Sequence, residues 1–270
     1  LSCGNGHCCM LFPCVGKVKC WGQNNQGQLG LNDKINRGSS TSQMGAGLPY
    51  LGFENARNVV CSYSSTCIHL EDCARMHTGD VKCWGYNNGG QLGYNDKNDR
   101  GETAGSMGDL LPFVNLGSNY AIQVASGSNF RHFLLDNGET RGAGYNGQGA
   151  LGIEVMDATI YLSNTKNALV VTTPTLLTIK QVSIGFSICA LLSDGTCKCF
   201  GGGSYALGYG DTLMRGRYGD RMGLNLPIID FGSSKIVSIA GGATKNTCAL
   251  THDGTMRCWG SNTYGQLAQG

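Results

Sequence analysis

Short apolar runs separated by glycine-rich turns recur along the chain. The clearest of them read IQVASGSNFRHFLL at 122–135, IKQVSIGFSICALL at 179–192 and KIVSIAGGATKNTCAL at 235–250. Short runs rich in β-branched and aromatic residues and bounded by glycine are typical of strands. No stretch repeats its apolar residues with the spacing of a helix face. The pattern therefore predicts an all-β chain of short strands.

A second segment occurs five times, at intervals of 57 to 63 residues. The copies are VKCWGQNNQGQLG (18–30), VKCWGYNNGGQLG (81–93), TRGAGYNGQGALG (140–152), CKCFGGGSYALG (197–208) and MRCWGSNTYGQLA (256–268). A glycine lies five residues before the tryptophan position of every copy, and in the last three it completes an Asn-Gly or Asp-Gly hairpin turn. Tandem units of short strands joined by such turns predict a propeller or an open solenoid of blades.

The complete repeat has a recognisable form. It reads V-x-x-(I/V)-x-x-G, then C-A-L-x-x-D-G, then (V/M)-x-C-W-G-x-N-x-x-G-Q-L-G, and it resembles the repeat of the regulator of chromosome condensation family over essentially the whole chain. The third copy is degenerate. The resemblance implies a β-propeller-like array of four-stranded blades, about five in this chain. We expect a single repeat domain over residues 1–270, with units at about 1–55, 56–120, 121–178, 179–234 and an incomplete one at 235–270.

The prolines suggest how the array ends. Leu-Pro or Thr-Pro follows each of the first four copies, whereas the fifth copy stops at Gly270 before such a step. Propellers commonly close their ring with a strand from the opposite terminus, and neither terminus offers one here. We therefore expect an open or incompletely closed array, to which a neighbouring domain or protomer adds the missing strand by edge pairing.

A long loop with fixed internal spacing follows three of the copies. The equivalent residues are Asp33, Arg37, Met44 and Pro49, then Asp96, Arg100, Met107 and Pro112, then Asp211, Arg215, Met222 and Pro227. We interpret each Asp–Arg pair as an internal brace of charge-assisted hydrogen bonds, the methionine as an apolar plug and the proline as the entry to the next blade's first strand. A calcium site at Asn32/Asp33 or Asn95/Asp96 is disfavoured, because the alternating oxygen ligands of an EF-hand loop are missing.

The fourteen cysteines follow the repeat. Three pairs are ten residues apart across a hairpin: Cys73/Cys83, Cys189/Cys199 and Cys248/Cys258. The third unit has His132 and Gly142 at these positions. Because the two cysteines of a pair are either both present or both absent, we predict that they form cross-strand disulfides. Cys9, or Cys8, with Cys20 is the predicted fourth pair. The pairing of the remaining six cysteines stays open, and Cys61–Cys67 is one candidate pair. These six are Cys3, Cys8 or Cys9, Cys14, Cys61, Cys67 and Cys197.

Disulfides on this scale predict an oxidising compartment, so we expect an extracellular or cell-surface protein. This separates the chain from the intracellular branch of the family. The alternative is a zinc site, but the C-x2-C pairs typical of zinc knuckles do not occur in the sequence. We therefore expect no metal site.

Composition narrows the function further. Charged residues make up 14% of the chain and the formal net charge is +2. Because the sequence has no basic cluster and no apolar run of roughly 18 residues, we expect neither nucleic-acid binding nor membrane insertion. The sequence also has no P-loop and no G-x-S-x-G elbow, so we expect no catalytic residues and no cofactor.

The third unit is the exception among the five. It lacks the tryptophan, the cysteine pair and the Asp/Arg/Met loop, and it carries an apolar segment with Met156, Tyr161 and Leu162. Drift within a repeat that its neighbours stabilise is one explanation. The other is a partner-binding loop that contains these three residues.

These observations favour a non-enzymatic extracellular protein-interaction or structural module. We expect it to bind a protein partner or to assemble with itself, for example as a subunit of a surface appendage or filament. One alternative is guanine-nucleotide exchange on a small GTPase, which the resemblance implies but which requires a reducing compartment. Another is a secreted inhibitor or a carbohydrate-binding propeller.

Overall fold

The computed structural model describes residues 1–72, 77–153, 160–164, 177–202, 205–216, 221–242 and 245–268. These residues form β-strands and short 3-10 helices, so the predicted all-β class is confirmed. Two compact units divide the chain, Leu1–Arg131 and His132–Gly270. The single repeat domain and the open array stay predictions. Within the described ranges, no helix has the length and hydropathy needed to cross a bilayer.

The strands build one antiparallel sheet for each sequence copy. The first sheet contains β1 (Ser2–Cys3), β2 (His7–Phe12) and β3 (Lys17–Gly22), and the second contains β4 (Ala56–Cys61), β5 (Ser65–Asp72) and β6 (His77–Gly85). The third contains β7 (Ala121–Ser126), β8 (Phe130–Leu135), β9 (Thr140–Gly144) and β10 (Ile160–Asn164). The fourth contains β11 (Ile179–Ile184), β12 (Ser187–Leu192) and β13 (Cys197–Gly201), and the fifth contains β14 (Ile236–Gly242), β15 (Asn246–Thr251) and β16 (Met256–Gly260).

The predicted four-stranded blade is wrong for four of these sheets, which have three strands among the described residues. In the first, second and fourth sheets, the free edge of the third strand meets the following loop at two separate points. Isolated bridges join Gly22 to Arg37, Gly85 to Arg100 and Gly201 to Arg215. Further along, single bonds run from the backbone N–H groups of Leu51, Val114 and Ile229 to the carbonyls of Val18, Val81 and Cys197.

The loop prolines explain why no continuous fourth strand forms there. Each lies two residues before the single backbone donor, as Pro49 does before Leu51, and proline has no N–H to extend a ladder. The predicted role of these prolines is therefore wrong. The segment that follows each one contacts the third strand of its own sheet and does not open the next blade.

Buried apolar residues fill the space beside each sheet. In the first compact unit, Trp84 is fully buried and packs against Phe53, with the ring centroids 5.4 Å apart. In the second, Trp259 packs against Phe231 with the centroids 5.6 Å apart. The V-x-x-(I/V) strands supply the other wall of each core, as Ile236 and Ile239 do in β14. Burial of these side chains is the main force that holds the strands in register.

Candidate functional site

Within the part of the chain that the structure describes, five disulfides join neighbouring strands in four of the sheets. They are Cys3–Cys8, Cys9–Cys20, Cys67–Cys83, Cys189–Cys199 and Cys248–Cys258. Three predicted pairs are present, and in each the two Cα atoms are 4.1 Å apart; they are Cys9–Cys20, Cys189–Cys199 and Cys248–Cys258. These bonds fasten the second strand of a sheet to the third.

The predicted Cys73–Cys83 pair is wrong, because Cys83 bonds to Cys67. The hairpin of the second sheet is longer than the others, so that Cys67 of β5 lies directly opposite Cys83 of β6. Sequence spacing of ten residues therefore selects the wrong cysteine. Cys73 itself lies outside the described residues. The alternative Cys61–Cys67 pair is also wrong, since Cys61 is a buried free thiol.

The two buried free thiols, Cys61 and Cys197, are poor nucleophiles. Burial raises the pKa of Cys61 to about 11 and that of Cys197 to about 12. Cys61 lies close to His7, but burial lowers the pKa of His7 to about 4. A protonated thiol beside a neutral imidazole is a poor catalytic pair at neutral pH.

Among the described residues, two groups of three side chains have their donor atoms within 4.8 Å of one another and could in principle bind a metal ion. They are His7, Cys9 and Cys61, and Cys189, Cys197 and Cys199. In each group, however, disulfide bonds already occupy one or two of the sulfurs. Metal ligation by cysteine requires a thiolate, so neither group fits a metal ion while these disulfides are formed.

The structure brings together all three predicted Asp–Arg pairs. Arg37, Arg100 and Arg215 each donate through Nη2 to the Oδ2 atom of Asp33, Asp96 and Asp211, over 2.6, 2.7 and 2.8 Å. In each pair Nη1 donates to Oδ1, so the contact is bidentate. Hydrogen bonds from Arg215 lower the pKa of Asp211 to about 2. Each pair braces its long loop close to the point where the Gly–Arg bridge joins that loop to the third strand.

A buried asparagine, which sequence reasoning missed, fastens the start of the first two of these loops. The Asn87 Oδ1 atom accepts from the N–H of Leu92 at 2.9 Å, and its Nδ2 group donates to the carbonyl and to Oδ1 of Asp96. Asn24 makes the same contacts with Leu29 and Asp33. The signal was present in the repeat, because an asparagine stands three residues after the tryptophan in three of the copies.

Lysine and tyrosine side chains complete the brace. Lys19, Lys82 and Lys198 of the third strands donate to the carbonyls of Gly45, Gly108 and Gly223, which follow the loop methionines. The hydroxyl of Tyr94 accepts from the N–H of Cys83 and lies 3.0 Å from the carbonyl of Pro112. Tyr209 repeats this contact with Cys199 and Pro227. The fixed loop spacing therefore reflects structural bracing.

Two of the three predicted partner-binding residues of the third unit lie on a strand, whereas the sequence predicted a loop. Ile160–Asn164 form β10, which pairs with β9 through Ser163 opposite Gly142 and Asn164 opposite Arg141. Tyr161 and Leu162 therefore lie on a strand and not in a loop. Met156 lies outside the described residues. Partner binding by these three residues stays a prediction.

A pocket of about 490 Å³ opens at one end of the sheets in the first compact unit. We call it the tyrosine pocket, and its lining comes from three sequence units: Gln26, Tyr63, Ser64, Tyr86, Ser128 and Asn129. Tyr63 and Ser64 belong to the β4–β5 loop, and Ser128 and Asn129 belong to the β7–β8 loop. Tyr63 is 54% exposed. Sequence reasoning missed this pocket, because its residue types do not recur from one unit to the next and are separated by up to 103 positions.

A buried arginine holds the two loops of the tyrosine pocket. Arg131 is fully buried, and its guanidinium donates to the hydroxyls of Ser65 at 2.9 Å and Ser62 at 3.4 Å, which flank Tyr63 and Ser64. Its Nε atom donates to the hydroxyl of Ser126 at 2.9 Å, at the end of β7. Burial lowers the pKa of Arg131 to about 10, so the side chain is charged at neutral pH. Arg131 thus fixes one pocket loop relative to the other.

Comparison with known proteins places these features in a family. The family model described as "Regulator of chromosome condensation (RCC1) repeat" matches residues 236–266. The ultraviolet-B receptor UVR8 of Arabidopsis thaliana is 26% identical over 276 residues, which cover 100% of this chain and 54% of the receptor. Protein pim1 of Schizosaccharomyces pombe is 27% identical over 277 residues, covering 97% of this chain and 45% of pim1. The chain spans about half the length of these curated relatives.

Solved structures share the fold. Human WBSCR16 aligns with a TM-score of 0.73 at 18% identity, covering 98% of this chain and 62% of that one. Prp20p of Saccharomyces cerevisiae, whose structure is described with its binding properties to Gsp1p and histones, aligns with a TM-score of 0.70 at 20% identity, covering 98% and 57%. The ectodomain of the Physcomitrella patens receptor kinase CR4 aligns with a TM-score of 0.51 at 17% identity, covering 97% and 51%.

Proposed function

Because the chain belongs to the regulator of chromosome condensation repeat family, we propose that it is a non-enzymatic protein-interaction module of an extracellular or cell-surface compartment. The relatives support protein binding as the general role, since Prp20p is described with its binding to Gsp1p and histones. The braced loops give this chain a rigid surface suited to the same role. Rigid surfaces bind with a smaller loss of conformational entropy than mobile ones.

The five cross-strand disulfides are the observation that supports the proposed extracellular or cell-surface compartment. Disulfides persist in oxidising compartments and are rare in the cytosol and nucleus, where thiols are kept reduced. Cys9, Cys20, Cys67, Cys83 and Cys199 are fully buried, which protects these bonds from soluble reductants. The ectodomain of a receptor kinase has the same fold, so the fold is compatible with an extracellular setting.

Within this role, we further propose that the chain is a structural subunit of a surface appendage or filament. The small formal net charge of +2 supports this proposal, because weak net repulsion allows copies to associate. The disulfides would keep each subunit of such an assembly folded outside the cell.

Fractionation of the source material tests both proposals. We expect the protein in the extracellular or cell-surface fraction, and we expect particles larger than a monomer by size-exclusion chromatography with light scattering and by electron microscopy. Recovery of all the protein from the cytosolic fraction would overturn the compartment. A monomer in native extracellular material would overturn the filament but leave the compartment standing.

Guanine-nucleotide exchange on a small GTPase is the second candidate, because Prp20p is described with its binding to Gsp1p. The five disulfides weigh against it, since small GTPases act in reducing compartments. A nucleotide-release assay with labelled GDP on Gsp1p and on related GTPases tests it. Acceleration of release by the disulfide-bonded protein would favour this second candidate over the proposed extracellular role.

A further inference from the structure

We propose that the tyrosine pocket, lined by Gln26, Tyr63, Ser64, Tyr86, Ser128 and Asn129, binds a neutral saccharide. Its volume of about 490 Å³ falls within the range of roughly 300–1,000 Å³ that is usual for small-ligand sites. The pocket lies entirely within the first compact unit. The proposal is independent of the protein partner proposed above.

The chemistry of the lining selects the ligand. Two tyrosines provide flat apolar surface with a polar tip, and the other four side chains end in amides or hydroxyls. Amides and hydroxyls both donate and accept hydrogen bonds, as the hydroxyl groups of a sugar do. A pyranose ring has an apolar C–H face that suits an aromatic ring and a rim of hydroxyls that suits the amides.

The lining also disfavours other ligand classes. Among the described residues, the lining contains no lysine, arginine, aspartate or glutamate, so these residues offer no counter-ion to a phosphate, a carboxylate or an amine. The described lining also has no aliphatic side chain that would favour a lipid. A second pocket in the same unit shows the contrast, because it is lined by Lys17, Glu54, Lys82 and Asp109 together with apolar residues.

The polar groups of the tyrosine pocket are available to a ligand. Within the described part of the chain, none of the six lining side chains makes a hydrogen bond to another protein group. The braces elsewhere in the fold behave differently, because their asparagine, lysine and tyrosine side chains all bond to protein atoms. Polar side chains without internal partners at a concave surface are free to exchange water for ligand hydroxyls.

The pocket is nevertheless held in shape by its backbone. The carbonyl of Tyr63 accepts from the N–H of Asn5 at 3.2 Å, and the carbonyl of Ser64 accepts from the N–H of Tyr86 at 3.0 Å. The first bond joins the first sheet to the second, the other lies within the second sheet, and Arg131 joins the β4–β5 loop to β7. The two tyrosines are therefore positioned before a ligand arrives, which favours affinity in a small open site.

Glycan-array binding, followed by calorimetry, tests the proposal. The labelled protein is applied to neutral gluco-, manno- and N-acetylglucosamine oligosaccharides and to sialylated and sulfated ones. We expect binding to a subset of the neutral oligosaccharides. Tyr63→Ala, Tyr86→Ala and Asn129→Ala should each weaken binding of the best oligosaccharide at least tenfold. Tyr264→Ala, which removes a tyrosine that is 89% exposed in the other compact unit, is the matched control and should leave binding unchanged.

Three results would overturn the saccharide assignment. They are no binding to any neutral oligosaccharide by the folded protein, binding that survives all three pocket variants, and binding that is confined to the acidic glycans. A peptide array tests peptides as the competing class of ligand, because tyrosine, serine and asparagine also line many protein-binding paratopes. Peptide binding that depends on Tyr63 and Tyr86, without saccharide binding, would reassign the pocket. Circular dichroism and thermal melts establish that each variant is folded.

Discussion

The indole Nε1 of Trp84 donates a hydrogen bond to the carbonyl oxygen of Gln28, 3.0 Å away in the preceding repeat. Thr66 donates its hydroxyl to the same oxygen at 2.9 Å. Trp259 makes the equivalent bond, also 3.0 Å long, to Ala206 in the second compact unit. The tryptophan of one repeat and the Gly-Gln-Leu-Gly turn of the previous repeat thus form one packing unit, which explains why the two recur together in the sequence.

This contact accounts for a glycine of the repeat and leads to the first prediction. Gly30 has φ of +71°, and a Cβ atom there would lie 2.7 Å from Nε1 of Trp84. We expect Gly30→Ala to lower the free energy of unfolding by about 2–4 kcal/mol, because backbone strain adds to the overlap. Urea unfolding followed by tryptophan fluorescence measures the change.

Gly45→Ala is the matched control. Gly45 also has positive φ, +59°, but nothing lies within 4 Å of its hypothetical Cβ atom. Only the backbone strain of about 1–2 kcal/mol is expected there. Equal losses for the two variants would contradict the packing role of Gly30.

The second prediction concerns the buried asparagine brace. Asn87→Ala removes the acceptor for Leu92 N–H and the donors to Asp96, in a fully buried site. We expect a loss of about 2–3 kcal/mol in the free energy of unfolding, because buried groups are left without partners. Asn87→Asp places a second carboxylate against that of Asp96 in the buried site, so its loss at neutral pH should be at least as large. If Asn87→Ala unfolds at the same urea concentration as the parent, the brace has no energetic role.

The third prediction concerns the second-sheet disulfide. Replacing both Cys67 and Cys83 with serine should lower stability by about 3 kcal/mol, the value expected for a loop of about 15 residues. Cys73→Ser should leave the melting temperature unchanged, because Cys83 bonds to Cys67. Differential scanning calorimetry under non-reducing conditions compares the variants. A larger loss from Cys73→Ser than from Cys67→Ser would restore the pairing that the ten-residue spacing suggested.

The fourth prediction is a pH dependence at Asp211. Its pKa of about 2 lies below the ordinary 3.8, because Arg215 donates hydrogen bonds to the carboxylate. A lowered pKa stabilises the folded state above about pH 4, and that contribution is lost as the pH falls through 2. Asp211→Asn should therefore lower the melting temperature at pH 6 and have little effect at pH 2.

The size of that effect should be modest, because the Asp211 side chain is 37% exposed and solvent screens the pair. Arg215→Lys keeps the positive charge but cannot form the bidentate contact, so this variant should retain only part of the stabilisation that the ion pair gives the parent. Melting temperatures of the parent and Asp211→Asn that differ equally at pH 2 and pH 6 would contradict the ion-pair account.

Local patterns predicted the strand class and the number of sheets, because alternation, glycine turns and the repeated W-G element are properties of short segments. They also predicted the Asp–Arg pairs, which lie four residues apart. The fourth strand was predicted wrongly, because a family pattern does not show that Pro49 and its equivalents interrupt the ladder. Cysteine spacing failed in the second sheet, since the hairpin there is longer and moves Cys67 opposite Cys83.

The tyrosine pocket could not be predicted from sequence, for a different reason. Gln26, Tyr63 and Asn129 come from three repeats and share no position within the repeat. Only the stacking of one sheet beside the next brings them to the same surface. Periodic analysis finds the scaffold of such a protein, whereas a binding site built from unrepeated residues appears only in the fold.

Peptide mapping determines directly whether this chain is the disulfide-bonded repeat module of an oxidising compartment that we propose. Protein from its natural source is alkylated without reductant, digested and analysed by mass spectrometry. We expect linked peptides for Cys3–Cys8, Cys9–Cys20, Cys67–Cys83, Cys189–Cys199 and Cys248–Cys258. Cys14, Cys61 and Cys197 should be alkylated once the protein is denatured. Alkylation of all fourteen cysteines before any reduction would contradict this proposal.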